Sequence, residues 1–245
     1  MKPATNRRPR SLHLLSMGVL SIVLTPVMHA QEFKEDFSTV QSRTPLENVE
    51  GWKFHFGQPN GAAADVAAGY SGPGVRLFGK SSYRLTIPKE IASSLKESTK
   101  EFRIKVRVMA ENDGYGIIQI MLAANDGVHA FSVCFNGGDS DGIGNNFLQV
   151  SSGGDDWSRI QFENYMEANW EKEVWYDVVI SEISEDGSAK VTVREAGEGR
   201  MLIENVPITA SGKGKLPTLD AIIIGNRAAA KEFDIDDISL APAKD

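Results

Sequence analysis

Residues 102–108 read Phe-Arg-Ile-Lys-Val-Arg-Val, with Phe102, Ile104, Val106 and Val108 on one parity and Arg103, Lys105 and Arg107 on the other. Successive side chains of a strand point to opposite faces of a sheet, so this order describes a strand with one face buried and one wet. A helix would scatter the same residues around its axis. The chain must therefore supply neighbouring strands to cover the apolar parity.

It does so repeatedly. Val174–Ile183 is an apolar run, Glu185-Asp186-Gly187 a turn, and Lys190–Arg194 a second alternating strand with Val191 and Val193 on one face, which together predict an antiparallel hairpin. A Gly-rich turn at Ala196–Gly199 leads into Met201-Leu202-Ile203. Further strands are expected at Val75–Phe78, at Ser82–Ile87 before Pro88, and at Gly116–Ala123, His129–Asn136, Phe147–Ser151 and Ser158–Tyr165. Turn-rich segments separate them, among them Gly137–Asn146 and Ser152–Asp156. Trp52, Phe54 and Phe56 alternate with Lys53 and His55 and predict a strand that turns its aromatic face to the core. Gly57–Gly74 reads as a long loop with one short strand at Asp65–Ala67, and Ile91–Thr99 as one or two helical turns. The count reaches about twelve to fourteen strands, which defines an all-β, two-sheet antiparallel sandwich. In the closing FDIDDISL, Phe233 and Ile235 share one parity while Ile238 and Leu240 take the other, so a bulge or a change of face is expected near Asp236-Asp237.

The order of Trp170, strand, Asp-Gly turn, strand, Gly turn, strand, then Ile222-Ile223-Ile224-Gly225 and a last strand carrying Asp236-Asp237-Ile238 resembles the laminin G-like and concanavalin A-like lectin/glucanase superfamily. The resemblance implies a jelly roll, glycan binding, and pairing of the first strand, near Phe33 and Phe37, with the C-terminal one. It also implies that Asp234, Asp236 or Asp237 could hold a structural Ca²⁺ against Glu35 and Asp36, the competing reading being a bulge with solvated carboxylates.

Residues 1–30 carry Lys2, Arg7, Arg8 and Arg10, no acid, and an apolar run from Leu12 to Val27 that ends before Met28-His29-Ala30. A basic head, a short apolar middle and a small residue before a polar start describe a secretory signal peptide cleaved after Ala30, leaving residues 31–245 as one sandwich domain. The run is broken by Ser16, Gly18, Ser21 and Pro26, so no stable membrane span is expected after cleavage. The Arg7-Arg8 pair leaves both general secretory and twin-arginine export open, and the expected location is secreted, periplasmic or cell-envelope. Cys134 is the single cysteine, which forbids an internal disulfide. Removing the four signal cations from the 26 basic residues leaves 22 against 33 acidic, a net charge of −11. Such a surface repels phosphate backbones, so nucleic acid is excluded as a partner and a soluble monomer is expected.

A pyranose stacks its C–H face on flat rings while its hydroxyls seek Asp, Asn and Arg. Trp157 with Asp155, Asp156 and Arg159 fits that composition, with Tyr115 and Tyr70 as companions, and these form the expected ligand site. Trp170 and Trp175 are assigned to the core or its rim. Asp139, Asp141 and Asn145 lie in a Gly-rich segment with several carbonyls, an oxygen set that suits Ca²⁺ as a cofactor. Arg103, Lys105 and Arg107 either line a surface for an acidic polysaccharide or pair with carboxylates on neighbouring strands, and the second reading is preferred. Catalysis has less support. Similar hydrolases carry Glu-x-Asp-x-Glu on one strand, whereas Glu182-Ile-Ser-Glu-Asp186 has the wrong spacing and Ser184 in the central place. Similar lyases carry Gln-Ile-His, and here Gln119-Ile120 is followed by Met121. The reading is an exported, non-catalytic carbohydrate-binding or envelope-interaction module, with a jelly-roll glycoside hydrolase or lyase as the alternative.

Overall fold

The computed structural model describes residues 31–57, 62–65, 68–95, 98–109, 117–124, 128–137, 146–150, 152–154, 164–197, 199–211, 215–216, 218–226 and 232–243. With strands numbered in chain order, one ten-stranded sheet runs Ser152–Gly154 (β11), Met201–Ser211 (β15), Ser188–Glu195 (β14), Trp175–Ile183 (β13), Lys100–Val108 (β7), Phe233–Pro242 (β17), Gly74–Leu77 (β5), Ala62–Asp65 (β4) and Thr44–Pro45 (β2). Phe33–Glu35 (β1) adds to it by pairing antiparallel with β17, Phe33 opposite Leu240, as the resemblance implied. A seven-stranded sheet runs Asn164–Glu167 (β12), Phe147–Val150 (β10), Val128–Asn136 (β9), Ile118–Ala124 (β8), Leu219–Gly225 (β16), Ser81–Thr86 (β6) and Trp52–Gly57 (β3). One short helix, Lys89–Ser94 (α1), and a 3-10 turn at Leu46–Asn48 complete the described elements. The two sheets face each other as the sandwich that the alternation predicts and the jelly roll that the resemblance implies.

The core lies between them. Phe102, Ile104, Val106 and Val108 of β7 are buried beside Val178 and Ile180 of β13 and Val191 and Val193 of β14, and they meet Leu85, Ile120, Val133 and Ile222 from the other sheet. The phase change in the last strand is a bulge. The β17–β7 register shifts between Asp236 and Ser239, and Asp237 adopts φ 48°. One extra residue there returns Ile238 and Leu240 to the face that Phe233 and Ile235 occupy, and all four are fully buried.

The central strands of the seven-stranded sheet, β8, β10 and β16, are buried on both faces, which is why they read as nearly continuous apolar runs (Ile120–Ala124, Ile222–Ile224) and not as alternation. On the side away from the core, Met121, Ala123, Ala221 and Ile223 form a second apolar cluster. Beside it the pairing aligns Ser82, Gly225, Gln119, Cys134 and Gln149 in one cross-strand row. Burial of amides requires partners, and Asn136 Nδ2 donates to Gln149 Oε1 at 2.9 Å. A Cβ on Gly225 would lie 2.2 Å from Ser82 Cβ and 2.4 Å from its Cα. Gly225→Ala must push β16 away from β6, and a loss of about 1–3 kcal/mol in denaturant unfolding is expected.

Three expectations are corrected. Phe54 and Phe56 are 37% and 56% exposed, and only Trp52 of that trio reaches the core. Their strand, β3, is the sheet edge, and its register to β6 shifts between Phe54 and Phe56. The short strand placed at Asp65–Ala67 is Ala62–Asp65, and part of the segment assigned to a turn, Ser152–Gly154, pairs parallel with β15. The strands therefore number seventeen among the described residues.

Candidate ligand-binding site

The outward face of the ten-stranded sheet concentrates charge and aromatic rings in two cross-strand rows. Register places Arg76, Asp234, Arg107 and Trp175 side by side on β5, β17, β7 and β13. The next row is Asp236, Lys105, Asp177 and Arg194 on β17, β7, β13 and β14. Period-two geometry makes this unavoidable: the residues between the buried positions of each strand must share the other face.

In the first row Asp234 is fully buried between two guanidinium groups. Arg76 Nε donates to Oδ1 at 2.8 Å and Arg107 Nη2 to Oδ2 at 2.6 Å. The Arg107 guanidinium then lies 4.7 Å from the centroid of the Trp175 ring, a cation–π contact. In the second row Lys105 Nζ donates to Asp177 Oδ1 at 2.8 Å and sits 3.6 Å from Asp237 Oδ2, while Arg194 Nε is 3.4 Å from Asp177 Oδ2. Burial alone would depress the Lys105 pKa, but the hydrogen bond and charge of Asp177, with Asp237, outweigh it and raise it above the ordinary value. The segment after β4 crosses these rows. The Tyr70 backbone N–H donates to Asp236 Oδ2 at 2.8 Å, and the Tyr70 ring meets Trp175 edge-on at 5.9 Å with Lys105 Nζ 5.0 Å from its centroid. Asp236 is buried, which raises its pKa against the backbone N–H groups of Tyr70 and Asp237 that stabilise the carboxylate.

These contacts decide between the two readings of the β7 cations. Lys105 and Arg107 are paired with carboxylates of neighbouring strands, and Arg103 Nε donates to Glu101 Oε1 at 2.7 Å within its own strand. The arrangement holds Tyr70, 41% exposed, against half-buried Trp175 beside an ordered set of donors and acceptors. Flat apolar rings next to fixed polar groups can stack a sugar ring and hydrogen-bond its hydroxyls. Trp175 is at the rim, as expected, and Trp170 is in the core with 1% exposure. Asp234 stands out in the sequence with Asp236 and Asp237, but its role as the shared partner of Arg76 and Arg107 does not.

Trp157, Asp155, Asp156, Arg159 and Tyr115, and the calcium set Asp139, Asp141 and Asn145, lie outside the described residues. The strand ends around them are placed. Ile117 and Asn136, next to the segments holding Tyr115 and Asp139–Asn145, belong to one end of the seven-stranded sheet. Asn164, which follows the segment holding Trp157, pairs with Val150 at the far end of β10, level with the middle of β9. Among the described residues no group of three or more Asp, Glu, His or Cys gathers to hold a metal ion, and no helix is long and apolar enough to cross a membrane. The Glu182–Asp186 stretch is engaged locally. Glu182 pairs with Lys190 at 2.7 Å, and Asp186 accepts from the hydroxyls of Ser184 and Ser188 and from the Ser188 N–H, which lowers its pKa to about 2.

No family model matches the chain, and no curated protein matches it. Solved structures do. Lectin II from Ulex europaeus is 14% identical, with 87% of this chain and 98% of that chain covered and a TM-score of 0.52. Peanut lectin in complex with a nine-residue peptide is 11% identical, with 88% and 100% covered and a TM-score of 0.53. The CBM2 module of the evolved Dit of Lactobacillus casei BL23 phage J-1 is 16% identical, with 89% and 99% covered and a TM-score of 0.52. At these identities the likeness concerns the fold alone: the chain has the jelly-roll sandwich fold that these structures share.

Proposed function

We propose that this protein is an exported, monomeric carbohydrate-binding module without catalysis, which grips a glycan of the cell envelope or its surroundings. The observation that carries the reading is the Tyr70–Trp175 ring pair, set against Arg107, Lys105 and Asp177 on the outward face of the ten-stranded sheet. Because those charges are already paired, the face favours neutral sugar hydroxyls over a strongly anionic polymer. The likeness in fold to the lectins supports the same class. Trp157 with Asp155, Asp156, Arg159 and Tyr115 extends the proposed contacts, and Ca²⁺ bound through Asp139, Asp141 and Asn145 belongs to the proposal.

A glycan array probed with residues 31–245, with Ca²⁺ and with chelator, tests it. Binding to at least one glycan is expected. Tyr70→Ala and Trp157→Ala should each weaken the best ligand about tenfold or more, since an aromatic stack contributes about 1 kcal/mol beyond its buried area. Asp141→Ala should mimic the chelator. Unchanged binding in Tyr70→Ala removes the ring pair from the site, and silence across the array removes the carbohydrate reading itself.

A further inference from the structure

Away from the charged face, a cleft of about 790 Å³ opens at one end of the sandwich. One wall is β1 with the Thr39–Thr44 segment that follows it. The other is the Asn48–Gly51 segment with the end of β6 and Pro88. The volume lies within the range of ligand pockets, and the lining mixes apolar surface from Phe33, Val40 and Leu85 with hydrogen-bonding groups from Thr44 and Asn48.

Its charge is one-sided. Glu35 and Glu50 line the cleft, and no Lys, Arg or His is among the described residues that do. Lys34, next to the first wall, pairs with Asp36 at 3.6 Å, and Arg84, next to Leu85, pairs with Asp220 at 3.2 Å. Glu35 is half-buried and accepts the Phe37 N–H at 2.9 Å. The buried indole N–H of Trp52 faces the same carboxyl without completing a hydrogen bond. A half-buried carboxylate in a cleft that no basic side chain lines among the described residues is complementary to a cation brought by a ligand.

We propose that this end cleft is a second binding site, for a sugar-sized ligand that carries an amino group, whose ammonium pairs with Glu35 and Glu50 while its ring lies on Val40 and Val49. The site is independent of the Tyr70–Trp175 face.

The test is an NMR titration of isotope-labelled residues 31–245 with glucosamine, glucose and N-acetylglucosamine, repeated on Glu35→Gln. Glucosamine is expected to bind at least tenfold more tightly than either uncharged sugar, with shifts centred on Val40 and Val49. Glu35→Gln should erase that preference while the protein stays folded. Asn48→Lys, which places a cation at the wall, should do the same by a different route and serves if the first variant fails to fold. Equal binding of the three sugars, no binding of glucosamine, or a preference that survives both variants overturns the proposal. Shifts confined to Tyr70 and Trp175 would overturn it too, while supporting the other site.

Discussion

Asp234→Ala is expected to cost about 3–5 kcal/mol of folding stability, because it leaves two guanidinium groups on one sheet face with their shared counter-charge removed. Arg76 and Arg107 sit on β5 and β7, the two strands that flank β17, and Asp234 is the buried residue that neutralises both. For a chain of this size the loss corresponds to a fall of about 10 °C in Tm. The effect is local before it is global. Arg107 also stacks on Trp175 and reaches the Ala68 carbonyl at 3.5 Å, so its release disturbs the ring pair as well. Thermal and denaturant unfolding of Asp234→Ala and Asp234→Asn check this, with the asparagine variant the milder of the two because it keeps the shape and one of the two acceptors. A shift below 1 kcal/mol in the alanine variant would show that the triad is not a structural anchor.

Trp170→Ala is expected to be of similar size, about 3–5 kcal/mol, since it empties one of the largest buried volumes in the core. The ring packs against Phe135 at 6.0 Å, and its Nε1–H is shared between the carbonyls of Asn136 and Phe147 at 3.2 and 3.3 Å. Those carbonyls end β9 and begin β10, so the indole clasps the two strands where the chain passes from one to the other. Trp170→Phe restores much of the bulk and none of the hydrogen bonding, and should recover all but about 1–2 kcal/mol. If both variants unfold alike, the hydrogen bonds and not the volume dominate.

The parts of the fold that sequence reveals are those where one side chain reports one face. β7 is legible because Phe102, Ile104, Val106 and Val108 alternate with charges, and the bulge at Asp236-Asp237 because the apolar parity slips by one residue. Exposure at a sheet edge is not legible: Phe54 and Phe56 alternate as well as any core residues, and only the position of β3 beyond β6 leaves them in water. β11 is Ser-Gly-Gly, which has almost no side chains to alternate, so its pairing with β15 leaves no trace in the pattern. The site divides in the same way. The cations of β7 announce that they need carboxylates, but that the partners are Asp234 and Asp177 depends on strands 127 and 72 residues away. In the sequence Tyr70 is an aromatic in a loop. Its place over Lys105 and against Trp175 follows from a backbone hydrogen bond to Asp236, which no local periodicity encodes.

The strand nearest the C-terminus lies in the interior of its sheet, between β7 and β5, and also carries β1. Until Phe233–Pro242 has been synthesised, the ten-stranded layer is two fragments and the first strand has nowhere to dock. A chain wired in this way completes its larger sheet late, when residues 233–242 slot between strands that are already paired on either side.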